Sequence, residues 1–151
     1  GYFVDELGIP VYHQPKVFER GGKKLFLGHG DGLGPGDHKF KFYKKLYVSK
    51  ICQWLYGSLH PNVGLGMGSK ISQGNRGGDA PFQGEKEWLV QFARTHLQQE
   101  HIDYFVFGHR HLPMDFELNE KSRIINLGDW LQYDSYAVFD GDKMWLEYFE
   151  K

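Results

Sequence analysis

At 151 residues, with 40% hydrophobic and 25% charged side chains, the chain is long enough to bury a real core and is expected to fold as one domain. A formal net charge of -1 excludes the strongly basic balance of a general nucleic-acid binder. Cys52 is the single cysteine, which excludes an intrachain disulfide and favours a reducing compartment, and no apolar run approaches the roughly 20 residues of a membrane span.

The first eight residues, Gly1-Tyr2-Phe3-Val4-Asp5-Glu6-Leu7-Gly8, read as the end of an amphipathic helix closed by a glycine. No methionine precedes them, so the chain is expected to begin inside an element. Val11-Tyr12 and residues 16–20 read as extended, and Gly21-Gly22 supplies a two-residue hairpin turn into a strand over 23–27. That strand runs into Gly28-His29-Gly30-Asp31-Gly32 and a loop rich in glycine and proline. From His38 the apolar period becomes helical, through Phe40, Tyr43, Tyr47, Ile51, Trp54 and Leu55, with lysines between. The pattern predicts a basic amphipathic helix of about five turns, whole or broken in two. Residues 61–78 hold six glycines and read as a loop with at most a short helical turn. A second helix is predicted over 84–101, with Trp88, Leu89, Phe92 and Leu97 on one face. The β-branched and aromatic run 102–107 predicts a buried strand that stops at Gly108-His109-Arg110-His111. Strands over 112–118, 123–127, 136–140 and 143–149 follow, with turns at 119–122 and 140–142.

Two segments share one design. Leu27-Gly28-His29 and Phe107-Gly108-His109 each place a histidine one residue beyond a glycine that ends a strand. A strand end is a rigid mount, and glycine lets the backbone turn without a Cβ clash. Neutral imidazole is the commonest protein ligand for borderline divalent metals, so the repeated pattern points to a metal centre. Singly, each segment is more often an ordinary loop histidine; the joint pattern weighs more, and most of that weight comes from a resemblance.

Gly28-His29-Gly30-Asp31 and Gly108-His109-Arg110-His111 resemble the late motifs of the calcineurin-like metallophosphoesterases. The resemblance extends along the whole chain. The His-Gly-Asp-Gly loop leading into a basic aromatic helix, and Ile125-Asn126-Leu127-Gly128-Asp129-Trp130, make it similar in particular to the UDP-2,3-diacylglucosamine hydrolases of lipid A synthesis. The resemblance implies an α/β two-sheet sandwich flanked by helices, of which this chain supplies the C-terminal part, with 38–78 as a helical cap insertion. It implies two divalent metal ions, manganese for preference, with His29 and His109 on one and His111 on the other. No catalytic residue is expected apart from the metal ligands. The implied reaction is hydrolysis of the substrate diphosphate to UMP and 2,3-diacylglucosamine 1-phosphate, by a cytoplasmic enzyme peripheral on the inner membrane surface. A metallophosphoesterase acting on another phosphodiester or nucleotide, or a non-catalytic scaffold of the same fold, are the alternatives.

The family's early motifs, D-x-H, G-D-x-x-D and G-N-H-D, do not occur in the chain. The missing ligands are therefore expected on an N-terminal segment of the same protein, and this chain alone is expected to bind metal weakly and turn over nothing. Asp31 and Asp129 are expected either to orient the ligating histidines from behind or to serve as turn residues. Arg110, between two ligands, is expected to meet a phosphate oxygen or solvent. Ser69, Lys70 and Arg76 are candidates for the substrate diphosphate, and Trp54 for a lipid-linked substrate, if the helix over 40–59 is a cap for acyl chains and not a core-packed helix.

Overall fold

The computed structural model describes residues 1–33, 38–75 and 81–149. In chain order its elements are α1 (Tyr2–Asp5), β1 (Lys16–Arg20), β2 (Lys23–Leu27), α2 (His38–Val48), α3 (Lys50–Gly57), α4 (Pro61–Asn75), α5 (Trp88–Leu97), β3 (Tyr104–Phe107), β4 (Pro113–Asn119), β5 (Ser122–Leu127), β6 (Ser135–Phe139) and β7 (Met144–Tyr148). They fall into two units. One is Gly1–Gly30 with Phe82–Lys151; the other is Asp31–Pro81.

The first unit is built on a five-stranded mixed sheet, in the order β1-β2-β3-β5-β4. Gly21 and Gly22, both at positive φ, close the β1–β2 hairpin with Arg20 opposite Lys23. Strands β2, β3 and β5 run parallel, so their carboxyl ends share one edge of the sheet. A parallel pair needs a crossover, and α5 lies in the stretch joining β2 to β3. Side chains alternate across the strands. On one face Phe26, Phe105 and Phe107 meet Phe92 and His96 of α5 edge-on or tilted, and Leu89, Val90 and Ala93 are fully buried. On the other, Leu25 and Ile125 pack with Met144, and Phe18, Tyr104, Val106, Ala137, Phe139 and Leu146 close around them. The β6–β7 pair therefore covers the second face, giving the expected layered α/β arrangement of a large and a small sheet with helices alongside.

Helix α1 is short, with Glu6 at its C-cap; Gly8 turns the chain beyond it at φ +63°, and the amide of Ile9 donates to the carbonyl of Phe3 at 2.8 Å. The predicted amphipathicity finds no matching buried face: Tyr2, Phe3, Val4 and Leu7 are all exposed. Val11 and Tyr12 lie outside any strand.

The second unit is helical. The long helix predicted from residue 40 breaks at Ser49, whose backbone is extended and whose hydroxyl accepts from the amide of Cys52 at 3.4 Å. The reading of 61–78 as a loop is corrected over 61–75, where Pro61–Asn75 is one helix; 76–78 lie outside the described residues. Glycine costs about 1 kcal/mol per helical position relative to alanine, and that penalty drove the loop reading. Pro61 suits a first helical turn. The glycines serve close approach: Tyr56 of α3 donates its hydroxyl to the carbonyl of Gly64 at 2.6 Å, and a Cβ on Gly68 would stand 3.2 Å from that oxygen. Among the described residues, no helix is long and apolar enough to cross a membrane.

Several carboxylates titrate below their usual range. The Glu85 carboxylate is held down by a hydrogen bond from Arg94, Glu100 by one from Lys24, Glu147 by hydrogen bonds from Trp145 and Tyr136, and Asp140 by the amides of Lys143 and Asp142. A depressed folded-state pKa contributes stability that is present above the unfolded value and is lost as pH falls through the folded one. The thermal midpoint is therefore expected to hold through neutrality and to fall once the pH drops below about 4, the ordinary carboxylate range. Thermal melts followed by circular dichroism between neutral pH and pH 3 check it; a midpoint that rises on acidification contradicts it.

Candidate functional site

The carboxyl ends of β2, β3 and β5 each continue into a glycine and then a polar residue: Gly28-His29, Gly108-His109 and Gly128-Asp129. In open α/β sheets the carboxyl ends of parallel strands are where ligands bind. Backbone hydrogen bonds knit the first two ends together. The amide of Gly28 donates to the carbonyl of Val106 at 3.1 Å, and the amides of Gly108 and His109 donate to the carbonyl of His29 at 3.1 and 2.7 Å. Gly30, buried at φ +107°, lies against the same histidine, since a Cβ there would stand 3.2 Å from the Cβ of His109.

This framework brings two of the predicted ligands into contact. Nε2 of His29 lies 3.3 Å from Nδ1 of His109, with the ring planes 79° apart. Two nitrogens bound to one tetrahedral ion at about 2.1 Å each are about 3.4 Å apart. The pair therefore fits two ligands of one divalent ion; without the ion, one ring can donate to the other. Trp88, the first residue of α5, sets its ring edge-on to His109 with centroids 5.9 Å apart.

His111 takes a separate position. Its Nδ1 lies 3.6 Å from the carboxylate of Asp129, and its side chain is half exposed. A carboxylate behind one imidazole nitrogen fixes the ring and leaves the other for a ligand. Asp129 also fills the turn role: it accepts from the amides of Leu131 and Gln132 at 2.9 and 2.6 Å. The turn role expected of Asp129 is thus present, and its carboxylate also lies beside His111. Among the described residues, no group of three or more His, Cys, Asp or Glu side chains converges to hold a metal. Of the three histidines expected as ligands, the structure brings His29 and His109 together and sets His111 beside Asp129.

Arg110, read as meeting either a phosphate oxygen or solvent, turns inward. Its guanidinium pairs with Glu87, and the two side chains are 11% and 1% exposed. Asn126 of β5, fully buried, donates from Nδ2 to the carbonyl of Arg110 and, at 2.7 Å, to that of Leu112. Neither Glu87 nor Asn126 was singled out from the sequence as a site residue. Glu87 carries no sequence signal, because it sits among Glu85, Lys86 and Trp88 like any solvated helix start.

Trp54, Ser69 and Lys70 belong to the helical unit, on α3 and α4, and all three are exposed. Asp31 opens that unit and is partly buried. Arg76 lies outside the described residues.

No family model matches the chain. The chain is similar over 99% of its length to a UDP-2,3-diacylglucosamine hydrolase of Porphyromonas gingivalis (strain ATCC BAA-308 / W83), with 34% identity across 166 residues that cover 63% of that protein. Proteins of the same name from Shewanella sp. (strain W3-18-1) and Shewanella baltica (strain OS223) are each 24% identical over 88% of the chain and 56% of their own length. The chain thus spans less than two thirds of the curated relatives it matches. The resemblance carried by the two Gly-His motifs and this similarity of sequence point to the same group of hydrolases.

Proposed function

We propose that the protein carrying this chain hydrolyses the diphosphate of UDP-2,3-diacylglucosamine, releasing UMP and 2,3-diacylglucosamine 1-phosphate, with two divalent metal ions of the manganese type. The observation that carries the reading is the contact between His29 and His109 at the shared carboxyl edge of two adjacent parallel strands, 3.3 Å apart at their nitrogens. Similarity to proteins named for that activity supplies the substrate. In this reading His29 and His109 hold one ion, His111 holds the other, and Asp129 keeps the His111 ring oriented. When bound, such ions supply Lewis-acid charge beside a phosphoryl group and acidify water. The chain's own part is to fix two imidazoles on strand ends with little freedom to relax, which lowers the cost of reaching the reactive arrangement.

The remaining ligands would come from a segment N-terminal to this one, so the 151-residue chain by itself is expected to bind metal weakly and to turn over nothing. The helical unit would serve as the cap for the acylated sugar. Tyr47, Ile51, Trp54 and Leu55 are all exposed on α2 and α3, which suits acyl chains and the surface of the inner membrane from the cytoplasmic side. The test is direct. The full-length protein is assayed for UMP release from UDP-2,3-diacylglucosamine and, in parallel, for hydrolysis of an aryl phosphodiester. Turnover of the lipid substrate that EDTA abolishes and Mn2+ restores is expected. Hydrolysis of the aryl diester alone would move the assignment to a soluble phosphodiester, and no metal-dependent turnover of either would leave a scaffold of the same fold.

A further inference from the structure

We infer that Glu87, Arg110 and Asn126 form a clamp that fixes the loop carrying His109 and His111, so that Glu87 and Asn126 are positioning residues for metal binding, a role that rests on the metal assignment proposed above. Glu87 stands immediately before α5, where a side chain usually caps the helix, yet it makes no cap hydrogen bond. It is 2% exposed. A buried carboxylate needs a partner, and the structure gives it the guanidinium of Arg110, the one residue between the two histidines. The helix that carries Glu87 is itself anchored to the sheet by the fully buried Leu89, Val90 and Ala93. Asn126 of β5 ties down the carbonyls of Arg110 and Leu112, the residues on either side of His111. The amides of Gly108 and His109 are held by the carbonyl of His29. The five-residue loop is thus secured at its start, its middle and its end.

Two consequences follow for a cation. The imidazoles are held in place before any ion arrives. The positive charge of Arg110, which would repel a divalent ion beside it, is neutralised by Glu87 and drawn inward. A buried ion pair is weak evidence for stability, because apolar side chains of similar volume often replace one without loss, but such pairs can fix a unique arrangement. Here the arrangement fixed is that of the candidate ligands.

The experiment is a Zn2+ titration of the isotopically labelled 151-residue chain. It is followed at the ring signals of His29, His109 and His111, with a thermal melt of each variant. The double variant Glu87→Leu/Arg110→Met is expected to melt close to the wild type and to bind Zn2+ about 10- to 100-fold more weakly, the usual effect of losing the groups that orient metal ligands. Glu87→Gln keeps the shape, leaves the guanidinium without its counter-charge, and is expected to weaken binding at least as much; it carries the comparison if the double variant unfolds. Either folded variant binding Zn2+ with wild-type affinity overturns the clamp. His29→Ala separates this failure from failure of the metal reading. If His29→Ala weakens binding while the clamp variants do not, the clamp alone is wrong. If His29→Ala changes nothing, the metal site itself is wrong.

Discussion

His109→Ala is expected to leave a folded chain that no longer holds a divalent ion beside His29, and to lower kcat of the full-length hydrolase by at least about a thousandfold. The fold should survive because His109 is only partly buried and lies beyond the end of β3, away from the Phe26, Phe105 and Phe107 layer. Its backbone amide still donates to the carbonyl of His29 at 2.7 Å after the ring is removed. Stability should therefore change by no more than about 1 kcal/mol, the ordinary size for a partly exposed position. Metal binding has less reserve. The 3.3 Å pair is this unit's contribution to one ion in the proposed site, and removing one imidazole takes away half of it. The loss should appear in kcat, since an ion that stabilises charge developing at phosphorus acts in the transition state. Metal titration together with steady-state assay checks it. Mn2+-dependent turnover within tenfold of the wild type would remove His109 from the ligand set.

How far the sequence foretold this depends on how local each signal is. The strands before Gly28 and Gly108 were legible because apolar, β-branched and aromatic residues end there at a glycine, and both the strand and the turn it makes are short-range effects. Their adjacency was not legible from pattern, because the β2–β3 pairing joins residues 79 apart, as Leu25 and Tyr104 are, through a crossover that leaves no mark on either strand. The break at Ser49 was within reach, since serine before a helical run is an N-cap signal. Helix α4 was not, because its glycines weigh against a helix locally while the contact with Tyr56 that favours them comes from a different element. Arg110 illustrates the same limit at the site. Its neighbours in sequence are candidate ligands, which suggests an outward, substrate-facing role, yet its direction is set by Glu87, 23 positions earlier. Asp129 was read as either a turn residue or a support for a ligand; the turn is present, and its nearness to His111 depends on loop geometry that no local pattern encodes.

The largest stability effect is expected from a turn, and the contrast between its two residues makes the expectation sharp. Gly21 and Gly22 close one hairpin at φ +57° and +76°, so either alanine substitution forces a side chain into the left-handed region at about 1–2 kcal/mol. For Gly22 that is the whole cost, because an added Cβ meets nothing within 4 Å. For Gly21 the Cβ would lie 1.9 Å from the carbonyl oxygen of Gly141, in the turn that joins β6 to β7. The obstacle is backbone, so no rotamer relieves it, and one of the two turns must move. The β6–β7 pair covers the second face of the main sheet, so such a shift disturbs the packing around Leu25, Ile125 and Met144. Overpacking of this kind adds about 1–3 kcal/mol, which brings Gly21→Ala to roughly 2–5 kcal/mol in total against about 1–2 for Gly22→Ala. Urea unfolding of the two variants side by side checks it. Equal losses would mean that the two turns do not touch in solution and that the small sheet sits further from the large one.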